Sequence, residues 1–264
     1  MSRSSIPLDK PLLSLAIISK NEADRIGRVL SSAASVVDEV IVVDSGSTDE
    51  TVEICKSSGA TVIHQEWLGY AAQKQFAMER ADGEWILNVD ADEALSEDLG
   101  KEILSALRHA ESDVAGYSIP RLSRYLDRWI RHGGWYPDRK VRLVRRGRAT
   151  WVGDGIHEKL EVSGKVQGLE SPLLHYVYRD ISDQVTTMNR FSTVSAEHRK
   201  EPGSSGYLLL GLVHAVGKFL ECWVWKLGIL DGYPGLVIAV NSAFYVFLKH
   251  AKAWEKGRAL DRSD

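Results

Sequence analysis

Only two cysteines, Cys55 and Cys222, stand in a chain of 264 residues. They are too few and too far apart for a metal cluster or a disulfide framework, and each reads as a small buried apolar residue. No sign of charge prevails either. The 33 basic and 36 acidic side chains leave a formal net charge of −3, which gives no global pull toward nucleic acid. Met1–Pro11 is short and polar, without the apolar core of a signal peptide, and predicts a chain that stays in the cytoplasm. There is no internal repeat and no low-complexity tract. The length suits one sizeable domain with an appendage.

What the chain does have is acid at the ends of apolar runs. Trp85, Ile86, Leu87 and Val89 make a buried, β-favouring body, and Asp90, Asp92 and Glu93 follow at its carboxyl end. Clustered carboxylates repel one another and resist desolvation unless something compensates them. A hard divalent cation does so, and oxygen ligands one residue apart suit Mg²⁺ or Mn²⁺. The alternative is a solvated acidic turn before a helix cap at Ser96. Glu39–Asp44 is a second apolar run closing on aspartate. The turn after it leads into a helical pattern that Ser47 or Thr48, with Asp49 or Glu50, would cap. Leu13–Ile18 is a third run, ending in Ser19-Lys20-Asn21-Glu22. Strands alternating with helix-like segments predict βαβ units, a parallel sheet and a ligand at its carboxyl edge.

In order and spacing these motifs resemble the family-2 glycosyltransferases of the GT-A fold. The matching segments are Ser19-Lys20-Asn21-Glu22, Val43-Asp44-Ser45-Gly46-Ser47-Thr48-Asp49, Gln73-Lys74-Gln75 and Asp90-Ala91-Asp92. The resemblance implies an α/β, Rossmann-like nucleotide-sugar-binding sheet with a C-terminal helical appendage. It implies donor contacts from Ser19, Asn21, Glu22, Asp44, Lys74 and Asp90, with Asp44 on the uracil edge and Asp90 near the ribose. It places Asp92 on the metal. Lys74 stands where the family usually has arginine, so the charge is kept and the bidentate fork is lost. A closer likeness, through Ile156-His157-Glu158 and Asp231-Gly232-Tyr233-Pro234-Gly235, is to enzymes that add glucose to the heptose of bacterial lipopolysaccharide inner core. Peptide-modifying members share much of the first half. The implied activity is inverting, metal-dependent transfer of a hexose, glucose from UDP-glucose, to a lipid-linked saccharide. A peptide acceptor is one alternative. A nucleotidyltransferase using the same carboxylates is another, opposed by the lack of an early Gly-rich, basic pyrophosphate loop.

Between Arg121 and Lys159 the chain is dense in arginine, with Tyr125, Trp129, Trp135, Tyr136 and Trp151 interleaved. Arginine suits bidentate phosphate contacts and flat rings stack on sugar faces, so Trp135, Arg139 and Arg142 are expected to meet a phosphorylated acceptor. The alternative is a solvated basic face. No nucleic-acid-binding module accompanies it, and no nucleic acid is expected as a partner. Inverting transfer needs a base for the acceptor hydroxyl. If residues 156–160 are extended, Glu158 shares a side with Ile156 and Leu160, surroundings that would raise its pKa toward that of a base. Asp154 is the runner-up. By the same resemblance, a further metal ligand is His175, with His157 as competitor. The other histidines have no comparable setting.

The last sixty or so residues differ in kind. Tyr207–Leu230 reads as a largely apolar helix, interrupted by His214, Lys218 and Glu221 on one face. After a turn at Asp231–Gly235, Leu236–Leu248 is a second apolar run, whose thirteen residues fall short of the roughly 20 that span a bilayer. Lys249, Lys252, Lys256 and Arg258 hem it, as on an interfacial helix at an anionic membrane. The expected organisation is a GT-A domain over 12–200, with a nucleotide half to 110 and an acceptor half from 111. A membrane-associating tail follows over 207–264, on an enzyme peripheral to the inner face of a bacterial plasma membrane. A helical hairpin closing the acceptor side or forming a dimer is the alternative for the tail.

Overall fold

The computed structural model describes residues 12–153, 158–197 and 205–260. The chain forms two compact units. One runs to Arg121 and resumes over Arg139–His175; the other comprises Leu122–Asp138 and the chain from Tyr176 on.

The first unit opens with β1 (Leu13–Ser19), α1 (Ile26–Ala33), β2 (Glu39–Asp44), α2 (Thr51–Ser57), β3 (Thr61–His64), α3 (Tyr70–Glu79) and β4 (Trp85–Asn88). These strands pair in parallel in the order β3-β2-β1-β4, the βαβ arrangement expected. Along the chain there follow β5 (Glu93–Leu95), α4 (Glu97–Arg108), β6 (Val114–Tyr125), β7 (Arg128–Trp129), which belongs to the second unit, β8 (Asp138–Arg145), β9 (Ala149–Val152), β10 (Lys159–Val162), β11 (Lys165–Gly168) and β12 (Leu173–His175). The sheet continues from β4 through β8, β6 and β12 to β5, and β8 runs antiparallel to β4. It is thus a mixed α/β sheet followed by a large helical region, the expected fold class.

Period-two alternation along β1 explains the two cores. Leu13, Leu15 and Ile17 face α1, whose Ile26, Val29, Leu30 and Ala33 recur at helical spacing, while Ala16 faces Ala77 and Met78 of α3. A strand buried on both faces reads as a continuous apolar run, and this one does. At the opposite edge from the acids, Gly83 must be glycine, since a Cβ there would lie 2.5 Å from Ser14 Oγ. Ser96 caps α4 by accepting from Leu99 N at 3.2 Å. The cap expected from Ser47 or Thr48 is not formed. Asp49 Oδ1 accepts from Thr51 N instead, and Ser47 and Thr48 turn back to Asp44 and Asn21. Cys55 and Cys222 are both buried, and burial pushes the Cys55 thiol up to about 11.

The second unit holds α5 (Ile181–Glu197), α6 (Ser205–Leu220), a π-helical turn over Glu221–Trp225, a 3₁₀ turn over Gly228–Asp231 and α7 (Gly232–Leu260). Leu122–Asp138 and α5, read from the sequence as acceptor half, lie in this unit with the tail. The second apolar run is not a thirteen-residue helix. α7 has 29 residues, because the Lys, Ala and Glu that follow Leu248 are good helix formers. Gly206–Trp225 and Gly228–Arg258 are both long and apolar enough to cross a membrane, by length and composition. Asp231–Gly235 is the junction of the 3₁₀ turn with α7, and Pro234 sits in the first helical turn, where proline is tolerated. A Cβ at Gly235 would lie 2.0 Å from the Gly228 carbonyl oxygen, so the chain crosses itself there only as glycine.

Candidate active site

Parallel pairing of β1 with β2 sets Ser19 directly opposite Asp44, and the Ser19 hydroxyl donates to Asp44 at 2.9 Å. The Asp44 carboxylate also accepts from Gly46 N, Ser47 N and Ser47 Oγ. Burial alone would raise its pKa. The hydrogen bonds from Ser47, Ser19 and Gly46 outweigh burial and hold it below the ordinary aspartate value. Asn21, in the left-handed region at φ 56°, accepts from Thr48 N at 2.8 Å, and its own N–H donates to Ser47 Oγ. Glu22 N donates to Thr51 Oγ1 at 2.8 Å. The first two motifs therefore lace two adjacent strand-end loops together.

The third motif reaches the same edge from α3. Gln73 donates to Ser45 Oγ at 3.0 Å, and Gln75 Oε1 accepts from Trp151 N at 2.9 Å. Between them, Lys74 Nζ lies 2.8 Å from Asp90 Oδ1, 3.1 Å from Glu158 Oε1 and 4.8 Å from the centroid of the Trp151 ring. Lys74 thus joins a proposed donor residue to the candidate base. Glu158, half-buried, is engaged by a cation. Its observed partner is the Lys74 ammonium, while Lys159 pairs with Glu161. Asp154 and His157 lie outside the described residues.

Beyond β4 the acids divide. Asp90 Oδ2 and Glu93 Oε1 both lie 2.6 Å from Arg142 Nη2, and Glu93 Oε2 accepts from Asp90 N at 3.0 Å. Burial would raise Asp90, but Arg142 and Lys74 hold it far below the usual carboxylate range. The same two carboxylates keep Arg142 firmly protonated despite its burial. Asp92 points elsewhere. Its Oδ2 lies 3.5 Å from His175 Nε2 and 3.7 Å from Arg25 Nη1. The structure therefore brings together the two sequence-proposed metal ligands, Asp92 from the β4–β5 turn and His175 from β12.

Two bonds of about 2.1 Å at right angles separate their donor atoms by about 3 Å. The 3.5 Å between Asp92 and His175 is therefore a spacing that one Mg²⁺ or Mn²⁺ fits. Among the described residues no group of three or more His, Cys, Asp or Glu side chains forms a fuller set.

The acceptor candidates are each engaged within their own unit. Arg142 is buried in the ion pairs above. Arg139 donates to Leu169 O at 2.7 Å and Glu170 at 2.9 Å. Trp135 belongs to the second unit, where its ring packs edge-on to Tyr125 at 5.7 Å. Glu93, fully buried, and Arg25 were missed as site residues. So were two histidine pairings in the second unit, His132 with Asp231 at 3.0 Å and His214 with His250 at 3.3 Å. Arg142 carried a signal: a charged side chain within a strand, with Val141 and Leu143 on either side, is buried and needs an acid partner.

Residues 14–158 match the family described as Glycosyl transferase family 2. The chain is 32% identical to a glycosyltransferase of Rickettsia typhi, over 96% of this chain and 91% of that one. It is 30% identical to the lipopolysaccharide core biosynthesis glycosyltransferase LpsC of Rhizobium meliloti, over 92% of each. Among solved structures it is similar to glucosyl-3-phosphoglycerate synthase of Mycobacterium tuberculosis with Mn²⁺, UDP and phosphoglyceric acid. That likeness has 16% identity and a TM-score of 0.48 over 68% of this chain and 75% of the other. With the family matched over more than half its length, and with relatives of this identity along almost all of it, the chain belongs to glycosyltransferase family 2.

Proposed function

We propose that this enzyme transfers a hexose, glucose from UDP-glucose, to a lipid-linked saccharide of the lipopolysaccharide inner-core type, with inversion at the anomeric carbon. The observation that carries the reading is the shared strand edge, where the Ser19–Asp44 pair, the Lys74–Asp90–Glu158 chain and the Asp92–His175 pair converge within one unit. The name of the Rhizobium relative supports the acceptor class.

In this reading the laced loops of β1 and β2 hold the nucleotide, with Asp44 on the uracil edge and Asp90 near the ribose. Asp92 and His175 would hold Mg²⁺ or Mn²⁺, which when bound neutralises charge on the departing diphosphate. Glu158 takes the proton of the acceptor hydroxyl as its oxygen bonds to the anomeric carbon. The bond from that carbon to the diphosphate oxygen breaks, and the electron pair leaves with UDP. Lys74 orients Glu158 and adds positive charge beside the donor.

The test is a donor screen with extracted lipid acceptors, reading UDP release and product mass. Glu158→Gln should bind UDP normally and slow a single turnover by roughly 10²–10⁴-fold. Near-wild-type single-turnover rates in that variant would remove Glu158 from the chemistry. Asp92→Asn should lose Mn²⁺ binding, read by the paramagnetic resonance of the ion, and an unchanged signal would remove Asp92 from the metal site.

A further inference from the structure

The second unit contains a helical face that the proposed chemistry does not use. On α6, Leu209, Val213, Val216 and Leu220 recur three and four residues apart, and Val213 and Val216 are each 62% exposed. Trp225 at 71% and Tyr233 at 86% extend the exposure around the turn that follows. A contiguous apolar surface of this extent on a folded chain marks a docking site.

Helix geometry says which way the stripe faces. Gly211 of α6 faces α7, because a Cβ there would lie 2.6 Å from His250 Cβ. Val213, two residues on, is about 200° around the helix and points away from α7. On α7 the same spacing separates His250, in contact with His214 of α6, from Lys252, whose Nζ donates to Asn189 O at 2.7 Å and Ser192 Oγ at 2.8 Å on α5. α7 is therefore the middle helix, with α5 on one side and α6 on the other. The expected basic hem is partly spent: Lys252 and Lys256 are pinned to α5, Lys256 through Glu197 O at 3.1 Å.

This arrangement also decides between crossing a membrane and lying on it. α5 carries Asp183, Asn189, Arg190 and Glu197 and is bound along α7 from Asn241 to Lys256. A hairpin that crossed the bilayer would drag that polar helix into hydrocarbon, at a cost of several kcal/mol per charge. At the turn, Gly133 N donates to Lys226 O at 2.8 Å, and Arg128 Nη1 donates to Asp231 O at 2.9 Å. These bonds hold the exposed Arg128 and Arg131 beside Trp225 and Leu230. The nearby acids are Asp127, which is exposed, Asp231, which is buried and bound to Arg131 N and His132, and Glu221, which is paired with Lys218 and Lys226.

We propose that α6 is a monotopic membrane anchor: it lies in the plane of an anionic bilayer with the Val213–Val216 stripe in the acyl region, while Arg128 and Arg131 meet headgroup phosphates and neither α6 nor α7 crosses. The inference deepens the function proposed above and rests on it for the lipid-linked acceptor. Cations beside an apolar stripe flanked by Trp and Tyr match a phospholipid interface better than a dry protein contact.

Full-length protein is tested by co-sedimentation with vesicles of phosphatidylcholine doped with phosphatidylglycerol. The double variant Val213→Glu/Val216→Glu, at exposed positions that leave the fold intact, should bind at least roughly tenfold more weakly. Thr186→Glu on the exposed side of α5 should bind like wild type. Alkaline carbonate should release the bound protein. Unchanged binding by the double variant would overturn the proposal, as would resistance to carbonate, which signals a spanning hairpin. A dimer that ignores vesicles and becomes a monomer on the double substitution would also overturn it, by assigning the stripe to a second copy. UDP calorimetry without vesicles tests the function separately. Vesicle binding without UDP affinity would sink the function and spare the anchor; UDP affinity without vesicle binding would do the reverse.

Discussion

Two aspartates stand at strand ends of the same sheet, on either side of β1, and the protein satisfies them by opposite means. Asp44, after β2, is surrounded by neutral donors from its own loop and the adjacent one: two hydroxyls and two backbone amides. Asp90, after β4, is held by two cations, Lys74 from α3 and Arg142 from β8. Both carboxyls are held below their ordinary pKa, so the outcome looks alike. The consequences of losing one partner do not. A hydroxyl removed from Asp44 leaves three other donors. Arg142 removed leaves Asp90 with Lys74 alone and Glu93, fully buried, with only the more distant Arg121 at 3.5 Å, a deficit of charge that water cannot readily make good.

The largest effect should therefore come from Arg142→Met, which preserves volume while removing the cation that two carboxylates share. It should cost about 3–5 kcal/mol in urea unfolding. A loss under 1 kcal/mol would mean that the two edges are equivalent and the contrast is false.

Ser47→Ala probes the other edge. It removes two hydrogen bonds, the one donated to Asp44 and the one accepted from Asn21 N, and should cost only about 2 kcal/mol. If it proved as damaging as Arg142→Met, the Asp44 loop would have to be a single cooperative unit rather than a set of replaceable donors.

The smallest effect lies in the acid limb of stability. A carboxyl whose folded pKa is depressed contributes fully above its unfolded value, near 4, and loses that contribution as pH falls through the folded value. Asp44 and Asp90 should both steepen the decline in urea midpoint below about pH 4, and contribute a flat plateau above about pH 5. In Arg142→Met the Asp90 share should shrink and the limb flatten. An equally steep limb in the variant would place the acid-sensitive groups elsewhere.

The same contrast explains what could be read from the sequence. Asp44, Ser19 and the loop hydroxyls are close in sequence to the strands that position them, so an apolar run closing on Asp-Ser-Gly-Ser suffices to find them. Asp92 and His175 were legible as separate strand-end residues, and the sheet alone brings them within 3.5 Å. Arg142 was legible only as one cation in a basic run. It was assigned to an acceptor because its carboxylate partners are 52 and 49 residues away. In the tail, periodicity found the apolar helix but not its end, and two of the lysines that looked like a membrane hem, Lys252 and Lys256, are bound to α5. Apolar pattern reports which face is greasy; it does not report which cations are already engaged.

Asp231 carries a last implication, for the order in which the chain acquires its structure. Its carboxylate accepts from Arg131 N and His132 N across separations of 100 and 99 residues. On a ribosome, the segment around Trp129 leaves the exit tunnel long before the residue that fastens it. β4 likewise waits for β8 to cover its open edge. Contacts of such long range are made late and leave apolar strand edges and aromatic side chains exposed meanwhile. A chain cut before residue 231 is thus not this enzyme without its anchor, but one whose Leu122–Asp138 segment has lost the partner it was waiting for.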